Sequence, residues 1–224
     1  MRIKIAFLGI QGSGKGTQAF LLSQKIKLPL IIMEDIFRKK AKEKSFLGKK
    51  IKSIIEKGEM VPDKIAYQIL KNELSKRKYQ RGAILDGYPR NLWQAKILEK
   101  TFPLNFVFFL KISSYEVLRR LGGRRLCPKC GKIFHLVYSP PKNNMKCDRC
   151  RIKLIQRSDD KRDIIQKRIS LYKNETLPLI KFYKRKKILL EINGEKSIKE
   201  VHQEILKKLK KALKEPPKQY NFLH

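Results

Sequence analysis

Short apolar runs and amphipathic stripes take turns along this chain. Residues 2–9 form a β-branched and apolar run that ends at Gly9, and a glycine-rich turn separates it from a stripe through Thr17, Phe20, Leu21, Leu22 and Ile26. That stripe keeps helical spacing, so the start is predicted to be strand, loop, helix. Residues 33–60 are highly charged and helical in pattern, with turn signals at Gly48 and Gly58. Pro62 opens a further helix in which Ile65, Ile69 and Leu70 recur at helical spacing. Ala83-Ile84-Leu85-Asp86-Gly87 predicts a buried strand ending in an acid, and Asn105 to Ile112 predicts another. A long helical stretch from Asp160 to Tyr183 leads to a last strand, Ile188 to Ile192. The final helix is predicted over 197–214, before Pro216-Pro217 and a loose tail. Strands alternating with helices imply an α/β fold of three layers, with a central parallel sheet of about five strands covered on both faces.

Composition changes the picture through charge. Among 224 residues, 54 Lys+Arg against 20 Asp+Glu give a net charge of +34, while 42% hydrophobic residues suffice for a sizeable core. Such charge suits polyanionic partners (nucleic acid, nucleotides or an anionic membrane), or it is simply a Lys-rich surface. No apolar run approaches the roughly 18–20 residues that span a bilayer. MRIKIAFLGI is too short and too soon followed by glycines for a signal peptide, so a cytoplasmic protein is expected. Near the C-terminus, Ile205, Leu209 and Leu213 mark an apolar helix face expected to pack on the sheet with its basic face solvated; membrane-surface binding is the alternative.

The four cysteines fall in two pairs, Cys127-x2-Cys130 and Cys147-x2-Cys150. In a cytoplasmic chain that spacing favours a metal over disulfides, and two CxxC turns can place four thiolates around a tetrahedral Zn²⁺ at about 2.3 Å. With no position left for water, the zinc would be structural. The usual iron–sulfur spacings are missing. His135 lies between the pairs but is not needed as a ligand.

The strongest chemical signal is Gly9-Ile10-Gln11-Gly12-Ser13-Gly14-Lys15-Gly16-Thr17. Glycines let backbone amides converge on phosphate oxygens, the helix N-terminus behind them adds positive potential, and Lys15 brings a point charge. The residue after Lys15 is Gly16, not the usual Ser or Thr, and the hydroxyl comes one place later at Thr17. This GSGKGTQ variant resembles the adenylate kinases, of the long type whose lid carries zinc. The resemblance continues through Asp35 to Arg38, Gly58-Glu59-Met60-Val61-Pro62-Asp63, Asp86-Gly87-Tyr88-Pro89-Arg90 with Gln94, Gly123-Arg124-Arg125, Tyr138-Ser139-Pro140-Pro141, and Arg157-Ser158-Asp159-Asp160 with Arg168.

The resemblance implies a P-loop NTPase-like core at 1–31, 62–122 and 161–224, interrupted by a nucleoside-monophosphate lobe at 32–61 and a zinc-bearing lid at 123–160. The reaction it implies is ATP + AMP ⇌ 2 ADP with Mg²⁺, serving adenine nucleotide homeostasis. Phosphoryl transfer of this kind depends on positioning and on fixed cations. Lys15, Arg90, Arg124, Arg157 and Arg168 would be the catalytic cations. Gly12, Ser13, Gly14, Lys15, Gly16 and Thr17 would hold ATP, together with Arg120, Arg124, Ile133, Phe134 and Lys196. AMP would meet Met33, Arg38, Glu59, Met60, Val61, Gly87, Tyr88, Pro89, Arg90, Gln94, Arg157 and Arg168. Planar guanidiniums suit phosphate better than lysines, and these positions are Arg in a chain dominated by Lys. Asp86 would hold Mg²⁺ through water, or else cap a turn; Asp159 and Asp160 would cap a helix or pair with lid arginines or Lys15. Gln94 would read the adenine edge or simply face solvent. A monomer is expected, with no specific nucleic acid or membrane partner.

One segment departs from the family. Ile32-Met33-Glu34-Asp35 stands where most adenylate kinases have Ser-Thr-Gly-Asp. Met33 cannot donate a hydroxyl hydrogen bond, though its thioether can pack on a purine. Glu34 adds charge near an anionic substrate unless Arg38 or another cation offsets it, and a carboxylate could also accept from guanine N1 and N2. AMP with weakened selectivity is therefore expected. A kinase for GMP or for UMP/CMP is the rival, and a basic zinc-ribbon RNA-binding protein on a P-loop scaffold is the rival from another class.

Overall fold

The computed structural model describes residues 3–214. Pro216-Pro217 and the tail after them lie outside the described residues. Five parallel strands form the central sheet in the order β2-β3-β1-β4-β7: β1 (Ile3–Leu8), β2 (Leu30–Ile32), β3 (Gly82–Asp86), β4 (Phe106–Lys111) and β7 (Leu189–Asn193). Their apolar runs are continuous because both faces are covered, and the twofold alternation of side chains sorts them into two cores. Ile5, Phe7, Ile84, Phe106 and Phe108 turn to one face with Ala19 and Leu22 of α1 (Lys15–Ile26) and Val201, Ile205 and Leu209 of α9 (Ile198–Lys214). Ala6, Leu8, Leu85, Val107 and Phe109 turn to the other. There they meet α4 (Asp63–Leu74), α5 (Leu92–Thr101) and α8 (Pro178–Arg185) through Leu70, Leu98 and Tyr183. The apolar face expected on the last helix stops short, since Ile205 and Leu209 are buried but Leu213 is exposed.

Two stretches interrupt the alternation of strands and helices, the first of them sharing the sheet's core through Met33, Phe37 and Ile51. Between β2 and α4 run α2 (Met33–Lys40) and α3 (Phe46–Glu56). Gly48, expected to mark a turn, lies inside α3: Ser45 caps that helix by accepting from the Gly48 N–H at 3.1 Å, and a Cβ at 48 would come within 2.3 Å of the Glu43 carbonyl oxygen. This glycine permits close backbone approach rather than a reversal. The second stretch comes after α6 (Ser114–Gly122) and contains the hairpin of β5 (Arg124–Leu126) and β6 (Ile133–His135). It returns through a 3₁₀ turn, Ser158–Asp160, into α7 (Arg162–Leu171).

The long helical stretch expected from 160 onward is broken. A π-helical turn, Tyr172–Thr176, separates α7 from α8, with the Leu177 N–H donating to the Tyr172 carbonyl at 3.1 Å, and Pro178 then opens α8. β2 is not legible in the sequence, since three residues give no period to read. Gly82, at the start of β3, has φ +111°, and a Cβ there would lie 2.0 Å from the Ile3 carbonyl oxygen of the neighbouring strand. Gly82→Ala is expected to cost about 3 kcal/mol, from strain and forced strand separation. Denaturant unfolding checks this; a loss below about 1 kcal/mol would show that the strands can part there without cost.

Candidate active site

Parallel strands deliver their C-terminal ends to one edge of the sheet, and the chemistry gathers there. The loop after β1 runs with Gly12 at φ +83° and Gly14 at φ +86°, and the Ser13 N–H closes a turn on the Ile10 carbonyl at 3.1 Å. Gly14 is the N-cap of α1 and has no side chain to occupy the first-turn N–H groups, which stay available to an anion. Lys15 is the first residue of α1. Burial pushes its pKa down, while the nearby Asp86 carboxylate pulls it back up.

Asp86 ends β3 and is buried, and burial raises its pKa against the pull of Lys15. Its carboxylate approaches the loop closely enough that a Cβ on Gly16 would sit 3.0 Å from Oδ2. That leaves a strand-end acid facing a phosphate-type loop across a residue with no side chain. Arg90, three residues beyond the positive-φ turn at Gly87, donates its Nε to the Gly87 carbonyl at 3.1 Å, and burial lowers its pKa. Tyr88-Pro89 is a cis peptide.

Four guanidiniums arrive from four further segments, each held by an acid. Arg38 of α2 pairs with Glu34 at 2.9 Å and with Asp159 at 2.8 Å. Arg168 of α7 reaches the same Asp159 oxygen at 2.7 Å. Arg124 donates its Nε to Asp160 at 2.7 Å, and Arg157 bonds Glu34 at 2.7 Å. Asp159 and Asp160 are both buried, and the N-cap of α7 is Lys161 with no side-chain cap bond. Of the two roles open for these aspartates, the structure has them pairing with arginines rather than capping. Arg120 turns to the loop, its Nη1 lying 3.4 Å from the Gly12 carbonyl and its Nε held by Glu116 at 2.6 Å.

Two adjoining clefts result. Gln11, Lys15, Arg90, Arg168 and Met60 line one; Glu34, Phe37, Arg38, Val61 and Arg90 line the other. Not every candidate residue presents its side chain to them. Met33 is wholly buried in the core, Phe134 is buried beside Cys127 and Cys147, and Tyr88 is buried. Lys196 pairs with Glu204 at 3.4 Å and Ile133 is exposed, whereas Glu59 lines both clefts while pairing with Lys167 at 2.9 Å. Gln94 is buried rather than facing solvent: its Oε1 accepts from the Arg90 N–H at 2.7 Å and its Nε2 donates to Asp63 at 2.7 Å. Asp63 and Glu116 are functional supports that sequence reasoning missed. Glu116 precedes Arg119 and Arg120 by one helical turn, a spacing that could have given it away. Asp63 closes the family-like run Gly58-Glu59-Met60-Val61-Pro62-Asp63, but nothing local in it points to the bonds from Asn91 and Gln94 that it accepts.

An adenylate kinase family model matches residues 7–188. The adenylate kinase of Caldanaerobacter subterraneus subsp. tengcongensis is 41% identical over 212 residues, covering 92% of this chain and 96% of the relative. That of Caldicellulosiruptor saccharolyticus is 40% identical (92% and 99%), and that of Methanocella arvoryzae is 39% identical over 214 residues (93% and 99%). The chain belongs to the adenylate kinase family. It is a nucleoside monophosphate kinase that moves a phosphoryl group reversibly between ATP and AMP, with Mg²⁺ accompanying ATP. The five-stranded parallel sheet behind a P-loop is the fold this family implies.

The four cysteines of this adenylate kinase converge as a metal site requires. Their sulfurs all lie within 4.8 Å of one another, and Cys130 and Cys147 are 3.7 Å apart. A regular tetrahedron with bonds of ~2.3 Å needs its ligands about 3.8 Å apart. Hydrogen bonding with Cys130, then burial and the Cys127 and Cys147 sulfurs, pushes the Cys150 thiol up to about 12, a cost that a divalent cation removes. His135 stands outside this group; its Nδ1 accepts from the Val137 and Tyr138 N–H groups at 3.0 and 3.1 Å. No helix among the described residues is long and apolar enough to cross a membrane.

Proposed function

We propose that this adenylate kinase works as a cytoplasmic monomer whose two insertions, 32–61 and 123–160, close over the nucleotides, and whose four cysteines hold a structural zinc. The observation that carries the reading is the gathering of six cations about two adjoining clefts: Lys15, Arg90 and Arg168 line one, Arg38, Arg90 and Arg168 the other, and acids hold Arg38, Arg168, Arg124 and Arg157 in place around them. In this reading the loop amides and Lys15 hold the donor phosphates, with Arg120 alongside. Arg38 and Arg90 seat the acceptor phosphate, and Arg124, Arg157 and Arg168 surround the group in transit. A largely dissociative transfer spreads charge over the equatorial oxygens, and preset guanidiniums stabilise it without rearranging. Closure excludes water, which would otherwise compete as acceptor and waste ATP. Asp86 would hold Mg²⁺ through water, where the ion would neutralise charge on the donor phosphates. Gln94, fixed by Asp63 and the Arg90 amide, is positioned beside the acceptor site.

The decisive experiment is ADP formation from ATP with AMP, GMP, CMP or UMP as acceptor. AMP is expected to give the highest kcat/KM. Its margin over GMP should be narrower than an intact hydroxyl contact would give, by ~1–2 kcal/mol, because Met33 offers no such donor. If GMP or a pyrimidine nucleotide beats AMP, the acceptor assignment is wrong, and a broader nucleoside monophosphate kinase takes its place.

A further inference from the structure

Glu34 occupies an unusual place. It lies in the first turn of α2, four residues before Arg38, and one oxygen, Oε1, accepts from three donors: Arg38 Nε at 3.1 Å, Arg38 Nη2 at 2.9 Å and Arg157 Nη1 at 2.7 Å. The Arg38 contact alone would be an ordinary pair within one helix, of little energetic weight. The Arg157 contact is different. It comes from 123 residues away, and the Arg157 side chain is only 9% exposed. Glu34 therefore ties the α2–α3 stretch to the strand-like segment that leaves the four-cysteine insertion.

We infer that Glu34 is a built-in surrogate for the acceptor phosphate, a positioning residue that occupies the Arg38 and Arg157 donors and must yield them before AMP can be seated. This inference rests on the proposal that those two arginines hold substrate phosphate. A carboxylate oxygen surrounded by three charged N–H donors receives what an oxygen of a phosphate dianion would seek in the same cleft. Glu34 also lines that cleft with Arg38, Arg90 and Arg168.

Charge points the same way. Arg38, Arg124, Arg157 and Arg168 share three carboxylates, Glu34, Asp159 and Asp160, and Arg90 lines the same cleft as Glu34. The Asp159 and Asp160 side chains are fully enclosed, whereas the Glu34 side chain keeps 24% exposure and so has an open side toward which to yield. Burial works to raise the pKa of Glu34, but Arg38 and Arg157 outweigh it and hold the carboxyl well below the usual range. Accepting from both guanine N1 and N2 would need Oε1 as well as Oε2, and the arginines already occupy Oε1.

The test compares Glu34→Gln and Glu34→Asp with the wild type, and includes Arg38→Ala and Arg157→Ala. Glu34→Gln is expected to lower KM for AMP roughly fivefold, with KM for ATP unchanged and kcat equal or lower as product leaves more slowly. Inorganic phosphate, used as a competitive inhibitor against AMP, should bind more tightly by a similar factor. Glu34→Asp keeps the charge but withdraws it from Arg157 by one methylene, and should give a partial effect. A residue that merely stabilised α2 would change the melting temperature and leave both constants where they are, which would overturn the inference, as would a rise in KM for AMP or an effect confined to GMP. Should Arg38→Ala and Arg157→Ala leave AMP kinetics intact, the phosphate-holding reading itself fails. Should they impair AMP while Glu34→Gln changes nothing, only the surrogate role fails.

Discussion

Replacing Lys15 by Met is expected to lower kcat by roughly 10²- to 10³-fold, the cost of losing one preset charge at a transferring phosphoryl group. KM for AMP should change far less, because the ammonium is proposed to act on charge that moves during transfer. The fold should be unharmed. Burial already lowers the pKa of Lys15, so the native chain bears a cost for keeping an ammonium there, and an uncharged chain of similar length relieves it. The variant should therefore melt at or slightly above the wild-type temperature. Steady-state kinetics beside a thermal melt check both halves of the expectation. A kcat near that of the wild type would sink the proposed role of the loop, whatever the melt shows.

The second large effect concerns stability. Cys127 and Cys147 are fully buried beside Phe134 and Leu154, a core too small to hold its insertion together unaided. Removing metal, or changing Cys127→Ser together with Cys150→Ser, is expected to lower the melting temperature by roughly 10 °C, on the basis of several kcal/mol of metal-linked stability at about 3 °C each. Activity at low temperature should fall much less, since the sulfurs are placed to brace the insertion and not to meet phosphate. Elemental analysis should find one zinc per chain. Protein purified without metal that gains no stability from added Zn²⁺ would remove the site from consideration.

How much can be read in advance depends on the length scale of each signal. The glycine loop, the strand ending in Asp86 and the paired cysteines are local patterns, and each is where the residues alone put it. The partners of the arginines are a different matter. Arg38 meets Asp159 across 121 residues and Arg157 meets Glu34 across 123, and no periodicity carries such pairings. Met33 shows the same limit from the other side. A thioether at that position suits packing on a purine, yet the residue opens α2 directly after β2, and the sheet edge takes it into the core. Gly48 reads as punctuation because a glycine serving close approach looks the same in sequence as one serving a turn.

The π-helical turn at Tyr172–Thr176 has a consequence for alignment in phase. Ile169, Thr176 and Tyr183 are spaced seven apart, which in an unbroken α-helix would set them along a single stripe. The wider turn winds fewer degrees per residue and so rotates α8 relative to α7 by about a quarter of a circle. Arg168 can thus aim at Asp159 while Tyr183, farther along what looks like the same helix, sinks beneath the sheet. Thr176, at the point of rotation, ties the adjustment to the chemistry by donating its hydroxyl to the Arg90 carbonyl at 2.8 Å. One residue more or fewer between α7 and α8 would turn either the guanidinium or the tyrosine away from its target. The length of this segment is therefore held as tightly as its composition.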